Sequence, residues 1–132
     1  GSIAGRITSV SGSSDYFPGS VVSYSNEVKI KELGVKKDTL KKHGAVSEET
    51  VREMISGILK KMKTDIGIAV SGIMGPNGGS DEKPVGTVWI AVGNKQETIA
   101  RKFKFRYDRR RNTEATVSMA LYMAVGFAEG RK

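Results

Sequence analysis

The clearest pattern along the 132 residues is the spacing of Val51, Met54, Ile55, Ile58, Leu59 and Met62. Steps of three and four place all six on one face of an α-helix. Ser47 is positioned as its N-cap, and Glu48 and Glu49 lie in the first turn, where the helix dipole favours acids. Lys60, Lys61 and Lys63 close the end that favours cations. A second long helix is predicted near the other end of the chain. Its apolar face carries Val117, Ala120, Leu121, Ala124, Val125 and Ala128, and it opens just behind Asp108 to Asn112. Shorter helical stretches are predicted over residues 3–9 and 27–33, the latter stopped by Gly34 in the manner of a C′ residue, with a helical turn over 38–42. Asn26 is the candidate cap for the 27–33 helix.

Strand patterns alternate with these helices. Ile66, Ile68 and Val70 alternate with small residues over 65–71, as in a central strand with helices packed closely on it. Residues 87–92 and 98–105 read as two more strands, joined at Gly93-Asn94 as a hairpin. A short strand is predicted over 20–23. Helices alternating with strands, one hairpin included, predict an α/β fold: a three-layer α/β/α sandwich with a mixed, partly antiparallel sheet. The length fits one domain with its own core, and there is no internal repeat.

Composition removes several function classes. With no cysteine and one histidine, His43, there is no disulfide framework, thiolate metal site or zinc cluster. No apolar run approaches the roughly 18 residues of a spanning helix, and no signal-peptide pattern opens the chain, so a cytoplasmic protein without a membrane partner is expected. The net charge of +8 suggests nucleic acid first. The lysines, however, are spread over helical stretches as solvated faces, without the interleaved aromatics of a strand-binding surface. No specific nucleic-acid partner is expected. Only residues 101–111 are dense enough in arginine to suggest a particular anion.

Three segments carry candidate chemistry. Between the 65–71 and 87–92 strands runs a long loop with Gly72, Gly75, Gly78, Gly79 and Gly86 in or beside it. Glycines let backbone N–H groups approach an anion or a developing oxyanion, while Pro76 and Pro84 stiffen the path. No Gly-Lys-Ser/Thr follows, which excludes a P-loop, and a strand rather than a helix comes next, which argues against a dinucleotide fingerprint. Gly75, Pro76, Gly78 and Gly79 are the candidate ligand-binding positions; Thr87 offers a hydroxyl and Lys83 an ammonium that is either anion-binding or solvated. Before the last helix, Arg109, Arg110 and Arg111 could fork a phosphate at a helix N-terminus, or could be a solvated turn. Finally, a lysine in the first helical turn, Lys29, faces the positive end of a dipole that lowers its pKa. A neutral amine can take a serine proton. On spacing alone, Lys29 is equally a surface lysine, His43 a turn residue, and Trp89 and Phe103 core.

The runs GSSDYFPGSVVSYSNEVKIKELGV, HGAVSEET and VSGIMGPNGGSDEKPVGTVWIA, in order and nearly end to end, resemble the C-terminal domain of the CinA family of competence/damage-inducible proteins. The same domain occurs as the stand-alone PncC-type nicotinamide-nucleotide amidase. The resemblance implies an amidohydrolase that converts nicotinamide mononucleotide to nicotinate mononucleotide and ammonia by a Ser/Lys mechanism, in pyridine nucleotide recycling. It implies Lys29 as general base, Tyr24 as a hydrogen-bonding catalytic partner, and a substrate site formed by Gly75, Pro76, Gly78, Gly79, Thr87, Arg109 and Arg111. No metal or organic cofactor is needed for that chemistry. The expected partner is a small-molecule nucleotide, and a homo-oligomer, such as a dimer, is the expected state. The family's nucleophilic serine lies in a Glu-Ser-Cys-Thr-Gly-Gly motif whose final glycine matches Gly1. Residues 1–132 are therefore expected as one domain of this type lacking the N-terminal strand and the serine-bearing segment. Relatives usually read Gly-Asp-Arg with a further arginine four positions on; this chain has Tyr107-Asp108-Arg109 and Thr113, leaving either Arg110 or Arg111 as the second arginine. A non-catalytic ligand-binding or partner module of the same fold is the alternative.

Overall fold

In chain order, the computed structural model of residues 1–131 runs α1 (Ser2–Thr8), a 3-10 turn (Ser13–Asp15), α2 (Asn26–Leu33), α3 (Lys37–His43), α4 (Glu48–Met62), β1 (Gly67–Gly72), β2 (Thr87–Gly93), β3 (Thr98–Lys104) and α5 (Arg109–Ala128). The strands lie in the order β1-β2-β3, which leaves β1 and β3 as the outer strands among the described residues. Both pairings are antiparallel, with Ile90 opposite Val70 on one side and Arg101 on the other. Of the mixed sheet expected, the described strands contain the antiparallel part.

The period-2 alternation of β2 divides the core into two layers. Ala91 and the half-buried Trp89 face α4, joining Leu33, Val35, Val51, Met54, Ile55, Leu59 and Ala69. Val88 and Ile90 face the opposite way, onto Ala120 of α5 with Ile3, Met119, Met123 and Phe103 around them. Helices thus cover both faces of the sheet, giving the α/β/α layering that the alternation of elements predicts. Trp89 and Phe103 are core residues on opposite faces.

Caps agree with the sequence in kind and shift slightly in place. Ser47 Oγ accepts from the Thr50 amide at 3.2 Å, as expected for α4. For α2 the cap is Ser25, not Asn26, because Ser25 Oγ accepts from the Val28 amide at 3.2 Å and Asn26 is already helical. Residues 20–23 form no strand. The stretch alternates, with Val21 packed on the core and Val22 turned out, but no described strand edge lies beside it to form a ladder. On α5 the buried stripe runs through Thr116, Val117, Ala120 and Phe127, while Val125 is 53% exposed. The apolar face counted from alanines was rotated, since alanine marks a face only weakly.

One close approach locks α2 to α4. A Cβ placed on Gly57 would lie 1.9 Å from the Leu33 carbonyl oxygen, a backbone atom that cannot step aside. Gly57→Ala is therefore expected to destabilise the domain by about 3 kcal/mol. Gly5 of α1, by contrast, has nothing within 4 Å of its would-be Cβ, and Gly5→Ala is expected to stabilise by up to about 1 kcal/mol. Urea unfolding midpoints of the two variants, moving in opposite directions, check both statements.

Candidate active site

Lys29 is the one lysine that appears among the buried polar residues, 5% exposed on the inner face of α2. Its helix begins at the Ser25 cap, and the i to i+4 geometry of the first turns points residue 29 back under the 17–24 segment. There Nζ donates to the Ser23 carbonyl at 2.6 Å. No carboxylate pairs with it among the described residues. Burial without a counter-charge pushes the Lys29 amine below the usual lysine range. Desolvation, rather than the helix dipole anticipated from sequence, is the cause. Gly1 approaches the same segment: a Cβ on Gly1 would lie 3.6 Å from Val22 Cγ2, one residue from the carbonyl that holds Lys29.

Tyr24 adjoins Ser23 but is 86% exposed, so it is not the half-buried strand-end residue that a 20–23 strand would have made it. Its hydroxyl is free to meet a ligand approaching Lys29 from solvent. Tyr24 follows the residue whose carbonyl holds Lys29, while hydrogen bonds tie the glycine loop to other elements.

The loop of residues 73–86 is closed at its base. The Ile73 amide donates to Thr87 O at 3.0 Å, the Gly86 amide to Ile73 O at 2.7 Å, and the Phe105 amide to Gly86 O at 2.9 Å. Beyond this base, the first turn of α5 holds the loop through two side chains. Asn112, fully buried, donates Nδ2 to Met74 O at 2.9 Å and accepts the Tyr107 amide on Oδ1 at 3.0 Å. Arg109 donates Nη1 to Gly75 O at 2.7 Å. Asn112 was not singled out in the sequence; an asparagine four positions after the cap Asp108 was the available signal, and it reads as an ordinary helix residue.

The Asn112 anchor orients one of the loop's donors. A trans peptide points its N–H opposite to its carbonyl. With Met74 O turned toward Asn112, the Gly75 N–H faces away from α5. Gly75 is buried, yet its amide donates to no backbone carbonyl of the described residues, and neither do those of Asn77, Gly78 and Gly79. A buried amide without an acceptor is rare in folded chains and suits an external anion or oxyanion. Gly75 must be glycine here: φ is 91°, and a Cβ would lie 2.5 Å from Val85 Cγ1. The next peptide, Gly75–Pro76, is cis, and Pro76, having no N–H, offers no donor and shapes the path only.

Other expected ligands are committed elsewhere. Thr87 is fully buried and its hydroxyl donates to Pro84 O at 2.6 Å, which makes it a brace for the loop. Lys83 Nζ, expected to be anion-binding or solvated, donates to the His43 carbonyl at 2.5 Å and straps the loop to the C-terminus of α3, where a cation is favoured. His43 itself is exposed, with Nδ1 3.7 Å from Glu49 Oε1. Of the two open arginines, Arg110 is paired with Glu114 at 3.1 Å. Arg111 is exposed, forms no ion pair among the described residues, and uses its backbone amide on the Asp108 cap at 2.9 Å. Of these two, Arg111 is the one whose guanidinium forms no ion pair among the described residues. Among the described residues there is no group of three or more His, Cys, Asp or Glu that could hold a metal ion, and no helix is long and apolar enough to cross a membrane.

Comparison with known proteins agrees with this framework. The family model of the CinA C-terminal domain matches residues 1–127. A CinA-like protein of Endomicrobium trichonymphae is 50% identical over 121 residues, covering 92% of this chain and 28% of the relative. A CinA-like protein of Thermotoga maritima is 45% identical over 132 residues, covering 100% of this chain and 32% of the relative. The chain thus spans about a third or less of these relatives' lengths. Among solved structures, a competence/damage inducible protein from Agrobacterium tumefaciens superposes with a TM-score of 0.93 at 38% identity, covering 96% of this chain and 78% of that one. On fold, motif order and family match, this chain belongs to the CinA C-terminal domain family.

Proposed function

We propose that the domain hydrolyses the carboxamide of nicotinamide mononucleotide, releasing ammonia and nicotinate mononucleotide. The observation that carries this reading is Lys29: a buried amine without a carboxylate partner, held at 2.6 Å by a carbonyl that leaves its lone pair available once it is neutral. The nucleophile is the serine of the family motif that precedes the position of Gly1; a Cβ on Gly1 would lie 3.6 Å from Val22, beside the carbonyl that holds Lys29, which supports this reading. Lys29 takes the serine proton as the oxygen attacks the amide carbon. The carbonyl electrons collect on oxygen, where the amides of Gly75, Gly78 and Gly79, which donate to no backbone carbonyl of the described residues, are suited to stabilise them. Lys29 then returns its proton to the departing nitrogen, and ammonia leaves an acyl-serine. Water attacks the acyl carbon, giving its proton to Lys29, and the serine leaves with that proton. Tyr24 adds a hydrogen bond from the solvent side, and Arg111, with Arg109 beside it, holds the phosphate.

In protein carrying the serine motif, Lys29→Ala is expected to lower ammonia release by a factor of about 10³, with Lys29→Arg giving no rescue because a guanidinium does not deprotonate. Nucleotide binding without ammonia release in the parent protein would instead make the domain a binding module. The kcat/KM profile is expected to rise with pH to a plateau, with an apparent pKa below 10.5, the ordinary lysine value. Stability carries the same sign. Between the lowered folded pKa and the unfolded value, the unfolded chain holds more protons, so stability rises with pH across that window and is level below it, where both states are protonated. Lys29→Met is expected to flatten this slope in urea titrations at several pH values. Asn112→Asp replaces the donor to Met74 O by a carboxylate oxygen and is expected to raise KM about tenfold, equivalent to about 1.4 kcal/mol, with a smaller change in kcat.

A further inference from the structure

Tyr107 stands at the loop without supporting it. Its amide and the Met74 carbonyl are bound by the two ends of one carboxamide, that of Asn112, at 3.0 and 2.9 Å. The tyrosine backbone therefore lies one amide group away from the peptide that carries the Gly75 donor. Its side chain is 56% exposed and takes no part in the ring contacts of the described residues, which are Phe103 with Phe105 and Arg131 with Tyr122. Arg106, Arg109, Arg110 and Arg111, all exposed, flank it in sequence. The fold gives no reason for an aromatic here, because the bonds at this position use only its backbone.

We propose that Tyr107 is a specificity-determining residue, a platform on which the heteroaromatic ring of a 5′-mononucleotide stacks while its phosphate meets the cations at the start of α5. The proposal rests on the placing of phosphate at Arg111 given above. A tyrosine suits the role: it offers a flat apolar face at low entropic cost and keeps its hydroxyl in water. Stacking reads the presence of a ring and tolerates its identity, since every base has a π-face. The site would therefore select ring-bearing nucleotides over sugar phosphates, with little preference between pyridine and purine from this contact.

The test is calorimetric binding of nicotinate mononucleotide, adenosine 5′-monophosphate and ribose 5-phosphate to the chain and to Tyr107→Gly, Tyr107→Phe and Arg111→Ala. Tyr107→Gly is expected to weaken both nucleotides about tenfold and to leave ribose 5-phosphate within about twofold, with Tyr107→Phe close to the parent. Equal losses for all three ligands, or no loss for the nucleotides, overturn the proposal. Arg111→Ala is expected to weaken all three alike. Nucleotides that bind normally to Arg111→Ala but lose affinity in Tyr107→Gly would overturn the phosphate placement alone. Absence of binding by every ligand would overturn both.

Discussion

The candidate site depends on one buried carboxamide. Asn112 has no access to solvent, and each end of its side chain is used, one on the Tyr107 amide and one on the Met74 carbonyl. A buried amide left half-paired is costly, so the loop and the start of α5 hold a single arrangement or lose both bonds. Capturing the Met74 carbonyl turns the Gly75 amide outward, and Arg109 on the Gly75 carbonyl fixes the path into Pro76, which has no N–H of its own. The Gly75 donor is thus set by what holds the carbonyl on its far side. The strap from Lys83 to α3 and the brace from Thr87 to Pro84 act on the same loop from its other limb.

Lys29 shows the complementary use of burial. A lysine with a carboxylate partner would stay charged; one with only a neutral carbonyl for company is biased toward losing its proton. The packing that buries it is ordinary, supplied by the short α2 helix and by the extended segment ending at Tyr24. What is unusual is the absence of a counter-charge in so basic a chain, where the acids present are drawn to surface pairs such as Glu32 with Lys61 and Glu48 with Arg52.

The layers of the fold were legible because periodicity is a local property. The three-four spacing of α4 and the alternation of Ile66, Ile68 and Val70 each identify an element without reference to anything distant. The strand expected at 20–23 failed because pairing is not local: alternation shows which side is buried, not whether an edge lies alongside. The face of α5 was misplaced for a related reason, as Met119, Met123 and Phe127 outweigh the alanines once the sheet is in place. In the site, the glycine loop and Lys29 were visible as residue types, whereas the division of labour was not. A hydroxyl and a guanidinium suit Thr87 and Arg109 to a ligand, and each also has a bond to a loop carbonyl that no spacing announces. Asn112 was invisible for the converse reason, having its partners 38 and 5 residues away.

The outer position of β3 has a consequence for how copies of the chain can meet. The strand ends in Arg101, Lys102, Phe103 and Lys104, and its free edge faces away from β2. Two such edges brought together antiparallel would set cation against cation at contact distance, in a protein already carrying +8. Natural sheets discourage continuous growth through their rims by this kind of charge placement. The charge along this rim therefore disfavours ribbon-like extension of the sheet through β3.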